Sequence, residues 1–298
     1  MEEHELVSTW LEIQNSSHTK RAYRRAIEDF QAFVRKPLLM VTALEVSQWA
    51  ALLAEKLSPA SVNARLAAVS SFYEFCQKIL TSEVKPLIAY NPVVSVKRPH
   101  VDKYADSRAL SLDQVKALLA QPDPSTPVGA RNLAMLIFAL YTGRRSAEIL
   151  RLRWGDISED GRWYHWRGKG GKTRRDELVP PVWAAIVAYL ERAGRIGKIQ
   201  ADEYVFAPIG GPYDQPLSGT MFNKLLKRYA RMAGLPDWIH VHTLRHTAAQ
   251  LRAMAGDDVV TISQMLAHAR IDTTQIYLRR LQGFSDKSWQ AVTNLLSQ

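Results

Sequence analysis

Apolar positions in the first hundred residues recur at spacings of three and four. Tyr23, Ile27, Phe30 and Val34 share one helical face, and Ser17 or Thr19 can cap that helix. A second helix is expected over 44–53. Ser58-Pro59 opens a third, with the serine as cap and the proline at the first helical position. Its Val62, Leu66, Val69, Phe72 and Tyr73 should turn inward and its Asn63 and Arg65 outward. Pro86, Asn91-Pro92 and Pro99 then interrupt regular structure, and Lys97-Arg98-Pro99-His100 reads as a basic extended linker. The expected organisation is a helical domain over 1–100, a linker over 101–107 and a second domain over 108–298. In the second domain Ser111 can cap a helix with Asp113 and Gln114 in its first turn, and 132–140 reads as a buried helix. Residues 163–166, the glycine-rich 168–172 and then 177–179 predict a β-hairpin. Helical patterns return at 182–192, 221–232, 243–254 and 259–267, and in the tail from Asp286. The fold class is mainly α with a small β-sheet: a helical domain followed by an α+β domain.

Composition narrows the class of partner. The chain has 298 residues, 47% of them apolar, enough for two hydrophobic cores. There is no run of eighteen apolar residues to suggest a membrane span. The acidic start Met1-Glu2-Glu3-His4-Glu5 is unlike a secretory or transit signal. The single cysteine, Cys76, has no internal disulfide partner and sits among Phe72, Tyr73, Phe75 and Ile79 as a packed thiol would. A cytoplasmic protein is expected. The net charge of +10 is uneven, with 13 Lys and Arg against 12 Asp and Glu in 1–107 but 26 against 17 in 108–298. A basic second domain favours a polyanion such as nucleic acid, although charge alone is equally a solvated surface.

Candidate chemistry sharpens this picture. A phosphodiester is an anion, so a nucleophile reaches it only after its charge is neutralised, work that arginine forks do without a metal. Lysine and histidine can move the protons, and a tyrosine nucleophile would conserve the bond energy in a phosphotyrosine. Thr142-Gly143-Arg144-Arg145-Ser146-Ala147-Glu148-Ile149, Gly168-Lys169-Gly170, His242-Thr243-Leu244-Arg245-His246, Leu266-Ala267-His268 and Thr273-Thr274-Gln275-Ile276-Tyr277 supply all these types in order. The first resembles the Thr-Gly-x-Arg-x-x-Glu-Leu stretch of tyrosine recombinases, the second their catalytic-lysine turn, the third their His-x-x-Arg box, and the last two their closing box. Upstream, Thr19-Lys20-Arg21-Ala22-Tyr23-Arg24 and Ser61-Val62-Asn63-Ala64-Arg65-Leu66 are similar to the helices of the family's SAM-like core-binding domain, and Asn91-Pro92 to its exit into the linker. The chain's short form is similar to Xer-type and simple phage or transposon recombinases.

The resemblance implies roles. Arg145 and Arg245 would hold the scissile phosphate, with His268 bonded to it. Lys169 would protonate the departing 5′-oxygen, His242 would accept the tyrosyl proton, and Tyr277 would attack. The implied partners are double-stranded DNA, held between the two domains as in a clamp, and further copies of the chain. Those copies would form a tetramer on two sites, with the tail over 288–296 exchanged between protomers, in the cytoplasm on the nucleoid. Lys20, Arg21, Arg24, Asn63, Arg65, Arg144 and Lys172 are candidates for DNA contact. No cofactor is implied. His242 and His246 have the spacing of a zinc pair, but Thr243 stands where a metalloprotease needs glutamate.

Two positions depart from the family pattern. Arg144 replaces an apolar residue and leaves a rival beside Arg145 for the phosphate, and Ala267 stands where glycine commonly precedes the histidine. Lys172 is likewise a rival to Lys169. Singly, each residue has a plainer reading: Arg145 as a partner of Glu148, Lys169 as hairpin decoration, His268 as a helix-end residue and Tyr277 as a core aromatic. Trp163 and Trp166 are expected to pack the sheet against a helix. The alternative functions are a type IB topoisomerase-like relaxing enzyme and a catalytically silent DNA-binding protein. The resemblance to a compact core-binding domain argues against the first, and the intact active-site set, Tyr277 above all, argues against the second.

Overall fold

A computed structural model describes residues 2–14, 16–80, 85–101, 108–168, 173–268 and 274–275. The chain divides into two compact units, Met1–Lys103 and Tyr104–Gln298. In the first, α1 (Glu3–Glu12), α2 (Ser17–Val34), α3 (Ala43–Ala54) and α4 (Pro59–Lys78) surround one core. Helix α1 escaped the sequence reading, although Leu6 and Trp10 at i,i+4 carried its signal and both are buried. Ser16 caps α2 by accepting from the Thr19 amide, one residue upstream of Ser17 and three upstream of Thr19, the expected caps. Ser58 caps α4 with Pro59 in its first turn, as expected, and Val62, Leu66, Val69, Phe72, Tyr73 and Cys76 are buried. Burial pushes the Cys76 thiol up to about 11, so it stays protonated and inert.

Asn63 and Arg65 do not simply face outward. The Asn63 amide donates to the Pro99 carbonyl at 2.9 Å, tying α4 to the segment that leaves the unit. Arg65 pairs with Asp29 of α2, the nearest anion on the neighbouring helix.

The second unit is built around α6 (Pro127–Thr142), an apolar helix whose inward face is buried. Before it comes α5 (Leu112–Leu119), where Ser111 and Gln114 form the anticipated reciprocal cap. After it come α7 (Ser146–Leu150), strands β1 (Trp163–Arg167) and β2 (Thr173–Glu177), and α8 (Pro180–Arg192). The helices α9 (Gly219–Met232), α10 (Val241–Met254) and α11 (Val259–Leu266) complete the described part. Helix α6 packs on α8 and on α10. The core joins Phe138, Tyr164, Phe206 and Phe222 with leucines of α9 and α10.

The hairpin is antiparallel, with Tyr164 opposite Asp176 and Trp166 opposite Arg174. Its return strand begins at Thr173, four residues before the expected start, in a polar stretch with no alternating pattern to reveal it. Trp166 is buried, but Trp163 is on the other face of the pleat, exposed and stacked on Arg175 with 4.5 Å between guanidinium carbon and ring centre. No helix among the described residues is long and apolar enough to cross a membrane. The tail expected to be helical from Asp286 lies outside the described residues.

Candidate active site

The turn between α6 and α7 is shaped by its sequence. Thr142 donates its hydroxyl to the Phe138 carbonyl at 2.7 Å, and Gly143 then ends α6 in the left-handed region at φ +60°. A Cβ on Gly143 would lie 2.8 Å from the Leu266 side chain, so glycine suits both the left-handed conformation and the close approach of α11. Arg145 follows in extended geometry at the N-cap of α7. Glu148 accepts its backbone amide with one carboxylate oxygen and its guanidinium with the other, both at 2.9 Å. The acid is nearly buried and the Arg145 side chain is 43% exposed, so Glu148 orients a cation that still faces solvent.

Arg245, on α10, is buried. It donates to the Gly143 carbonyl at 2.7 Å and to the Leu266 carbonyl at 2.6 Å. Two charge-assisted bonds thus join the turn that precedes Arg145 to the end of α11, two residues before His268. Ala267 makes the bend there at φ +51°, the left-handed geometry for which glycine is the easier residue. His268 binds the Thr274 hydroxyl through Nδ1 at 2.7 Å, which leaves Nε2 as the second ring nitrogen for other work.

His242 lies one turn before Arg245, and its ring meets that of His246 edge to face at 4.7 Å. Surrounding protein strips water from these rings even though His242 keeps an exposed edge. That desolvation, with Arg245, His240 and Arg145 adding positive charge, pushes His242 down to about 4. Desolvation followed by Arg245, Arg145 and His242 holds His268 at about 4, and desolvation followed by His242 brings His246 to about 3. All three are neutral at pH 7. The same interactions place Arg145, His242, Arg245 and His268 within electrostatic reach of one another. Among the described residues, no group of three or more His, Cys, Asp or Glu is placed to hold a metal ion.

An open groove of about 1120 Å³ starts at Arg145 and Glu148 and runs between α7 and the hairpin, past Arg151, Arg153, His165 and Arg167 to Gly168. The sequence reading did not single out Arg151, Arg153 or Arg167. The signal for Arg151 and Arg153 was their alternation directly after the Arg145 motif, and for Arg167 its place immediately before Gly168-Lys169-Gly170. Arg153 is steadied by the Tyr204 hydroxyl at 3.0 Å.

Arg144 does not line this groove. It is buried against Trp166, paired with Asp176 at 3.1 Å and bonded to the Met265 carbonyl, so that of the two adjacent arginines Arg145 is the exposed one. Four of the six candidate catalytic residues are therefore gathered here. Lys169 and Tyr277 lie outside the described residues, as does Lys172. In the first unit, Arg21 and Arg24 are exposed on α2 and Lys20 is half-buried.

Comparison with known proteins shows which family this fold and these motifs belong to. Residues 108–282 match the phage integrase family, and residues 8–78 match the phage integrase N-terminal SAM-like domain. The tyrosine recombinase XerD of Listeria monocytogenes is 33% identical over 273 residues, 88% of each chain. The tyrosine recombinase XerC of Xylella fastidiosa is 32% identical over 267 residues, 88% of this chain and 86% of the relative. Among solved structures, the XerH site-specific recombinase bound to palindromic difH substrate in a post-cleavage complex superposes with a TM-score of 0.73 at 19% identity, covering 94% of this chain and 80% of that one. A lambda integrase dimer bound to a COC′ core site gives 0.72 at 16% identity, with coverage of 95% and 79%. At such identities the structural matches speak for the fold.

Proposed function

This chain belongs to the phage integrase family, and we propose that it cuts and rejoins DNA through a covalent bond between Tyr277 and a backbone phosphate. Its activity is site-specific recombination by a tyrosine recombinase; the topoisomerase-like and catalytically silent readings are not favoured. The observation that carries the proposal for the site is the pair of bonds from Arg245 to Gly143 and Leu266, which holds the Arg145 and His268 segments on one frame.

In the proposed step, Arg145 and Arg245 neutralise the phosphate, and His268 bonds one of its oxygens. The Tyr277 oxygen bonds to phosphorus as the bond from phosphorus to the 5′-oxygen breaks. Lys169 gives a proton to that oxygen, and His242 takes the proton of the phenol. A neutral His242 is ready to do so, but at about 4 it is a weak base in the free protein. Part of that depression comes from Arg245 and Arg145. A bound phosphate cancels their charge and raises the imidazole towards the range where it works as a base. The products are a 3′-phosphotyrosyl link and a free 5′-hydroxyl, and attack by a 5′-hydroxyl of a second duplex exchanges strands through a Holliday junction. No step calls on a metal or nucleotide.

Lys20, Arg21 and Arg24 of α2 are proposed to meet the DNA backbone from the first unit, and the arginines of the groove to meet it from the second. Four copies would assemble on two nucleoid sites, with the tail docking on a neighbour. Deleting 285–298 is then expected to weaken cooperative assembly more than binding to a single site, and equal loss of both would count against tail exchange.

The test of the chemistry uses wild type and Tyr277→Phe with labelled nicked duplexes from a randomised library, in EDTA. An adduct that survives denaturant and needs Tyr277 is expected, and sequencing the trapped DNA yields the site. An adduct that forms equally well with Tyr277→Phe would refute the assignment.

A further inference from the structure

The guanidinium of Arg144 is a junction of segments far apart in the chain. It leaves the turn between α6 and α7 one residue before Arg145. Its Nη2 donates to the carbonyl of Met265, in the last turn of α11 and three residues before His268. The same nitrogen lies 3.1 Å from Asp176 on β2, and the planar group is stacked on Trp166 of β1 with 3.9 Å to the ring centre. Asp176 also accepts from the Trp166 indole nitrogen at 2.7 Å, so one carboxylate closes a diagonal across the two strands and receives the arginine as well.

The arginine side chain is only 2% exposed, which excludes a solvated surface role. It does not line the groove that begins at Arg145, and its bonds are made to protein groups. Its Nε and Nη1 have no hydrogen-bond partner among the described residues. A buried cation left partly unsatisfied is a poor way to gain stability, because desolvation offsets most of the attraction. Such a group is better suited to fixing one arrangement of its neighbours.

We propose that Arg144 is a positioning residue that sets the β1–β2 hairpin, whose turn carries Lys169 in sequence, against the two segments that carry Arg145 and His268. This rests on the reading of Lys169 as donor of the leaving-group proton. The planar fork and the indole face fix the hairpin's distance and tilt together, which the family's usual apolar residue at this position cannot do through directional bonds. Phosphate grip and proton delivery would then be held in register by one side chain.

The experiment uses the full chain and the duplex recovered by Tyr277-dependent trapping, made with either the normal 5′-oxygen or a bridging 5′-sulfur at the scissile phosphate. A thiolate, with the low basicity of a thiol of pKa about 8.5, departs without a proton. Arg144→Leu is expected to form the covalent adduct roughly 10- to 100-fold more slowly on the oxygen duplex, within the share a general acid supplies. On the sulfur duplex it should come within about threefold of wild type, while affinity for uncleaved DNA is kept. Asp176→Asn, which removes the carboxylate charge on β2 that receives Arg144 and leaves the arginine and its Met265 bond in place, should show the same sulfur rescue and covers the case in which Arg144→Leu fails to fold. A double variant with Lys169→Ala should be no slower than Lys169→Ala alone. Equal loss on both duplexes, unchanged cleavage on both, or a further tenfold drop in the double variant would each overturn the proposal. The Lys169→Ala arm separates the two layers. If that variant is not slowed, or sulfur does not rescue it, the reading of Lys169 fails; if it is rescued and Arg144→Leu is not, only the positioning role fails.

Discussion

Replacing Gly143 by alanine loads two separate costs onto one Cβ. The backbone there sits at φ +60°, where an L-residue costs about 1–2 kcal/mol. The new methyl would also stand 2.8 Å from Leu266 Cδ2 and 3.2 Å from Met265 Cε. Those atoms end flexible side chains, so they can move, at an overpacking cost of about 1–3 kcal/mol. Alanine stiffens the unfolded chain and returns about 0.4–1 kcal/mol of the opposite sign. The net expectation is a loss of about 2–3 kcal/mol, or roughly 5–10 °C in melting midpoint for a unit of this size. Gly234 supplies the control, because it has φ +65° but open space where its Cβ would stand. Gly234→Ala should cost only the conformational share, about 1 kcal/mol or less. Urea unfolding of both variants, with m-values checked for constancy, reads the difference directly. The crowding also bears on the residue whose carbonyl Arg245 holds at 2.6 Å, so adduct formation by Gly143→Ala is expected to fall about tenfold even where the protein is fully folded. Equal destabilisation at the two glycines would refute the claim that the close approach of α11 matters. Normal cleavage by a destabilised Gly143→Ala would refute the claim that this approach sets the site.

Ala267→Gly probes the same geometry from the other side, since φ +51° strains alanine while glycine loosens the unfolded chain. We expect it to be neutral to stabilising by up to about 1 kcal/mol in urea unfolding, and a clear loss would contradict the left-handed bend. Acid should weaken the second unit. His242, His246 and His268 are held at about 4, 3 and 4, against 6.5 for a solvated imidazole. The unfolded chain therefore takes up protons first, so their stability contribution is complete above 6.5 and fades as pH falls towards 4. With partial exposure discounted, about 2–3 kcal/mol should be lost between pH 6.5 and 5, and a melting midpoint that stays level or rises over that window would contradict the burial of these rings.

How much of this was legible in the sequence depended on the range of the interaction involved. Caps and helical faces are local, and Ser58-Pro59, Ser111 with Gln114, and the inward residues of α4 all sit where their spacing put them. The chemical motifs are also local, and Arg145 with Glu148 three residues on can be read as an oriented arginine before any fold is known. Strand β2 could not be found that way, because its Thr-Arg-Arg-Asp-Glu has no alternation and pairs only because β1 and the Arg144 guanidinium receive it.

The departures from the family pattern show the same limit. Arg144 looked like a competitor for phosphate because its neighbour in sequence is Arg145, while its actual partners stand on β1, β2 and α11, the last of them 121 residues away. Ala267 looked like a small substitution, and the feature it must satisfy is a left-handed bend beside the carbonyl that Arg245 holds. Both positions belong to a frame of backbone carbonyls at the ends of α6 and α11, which accept from two buried arginines, Arg144 and Arg245. A carbonyl is present at every residue, so no side-chain pattern can mark which ones will be used. The motif residues thus identify the chemistry, whereas the rigidity that chemistry needs is built from main-chain atoms whose selection only the folded chain makes.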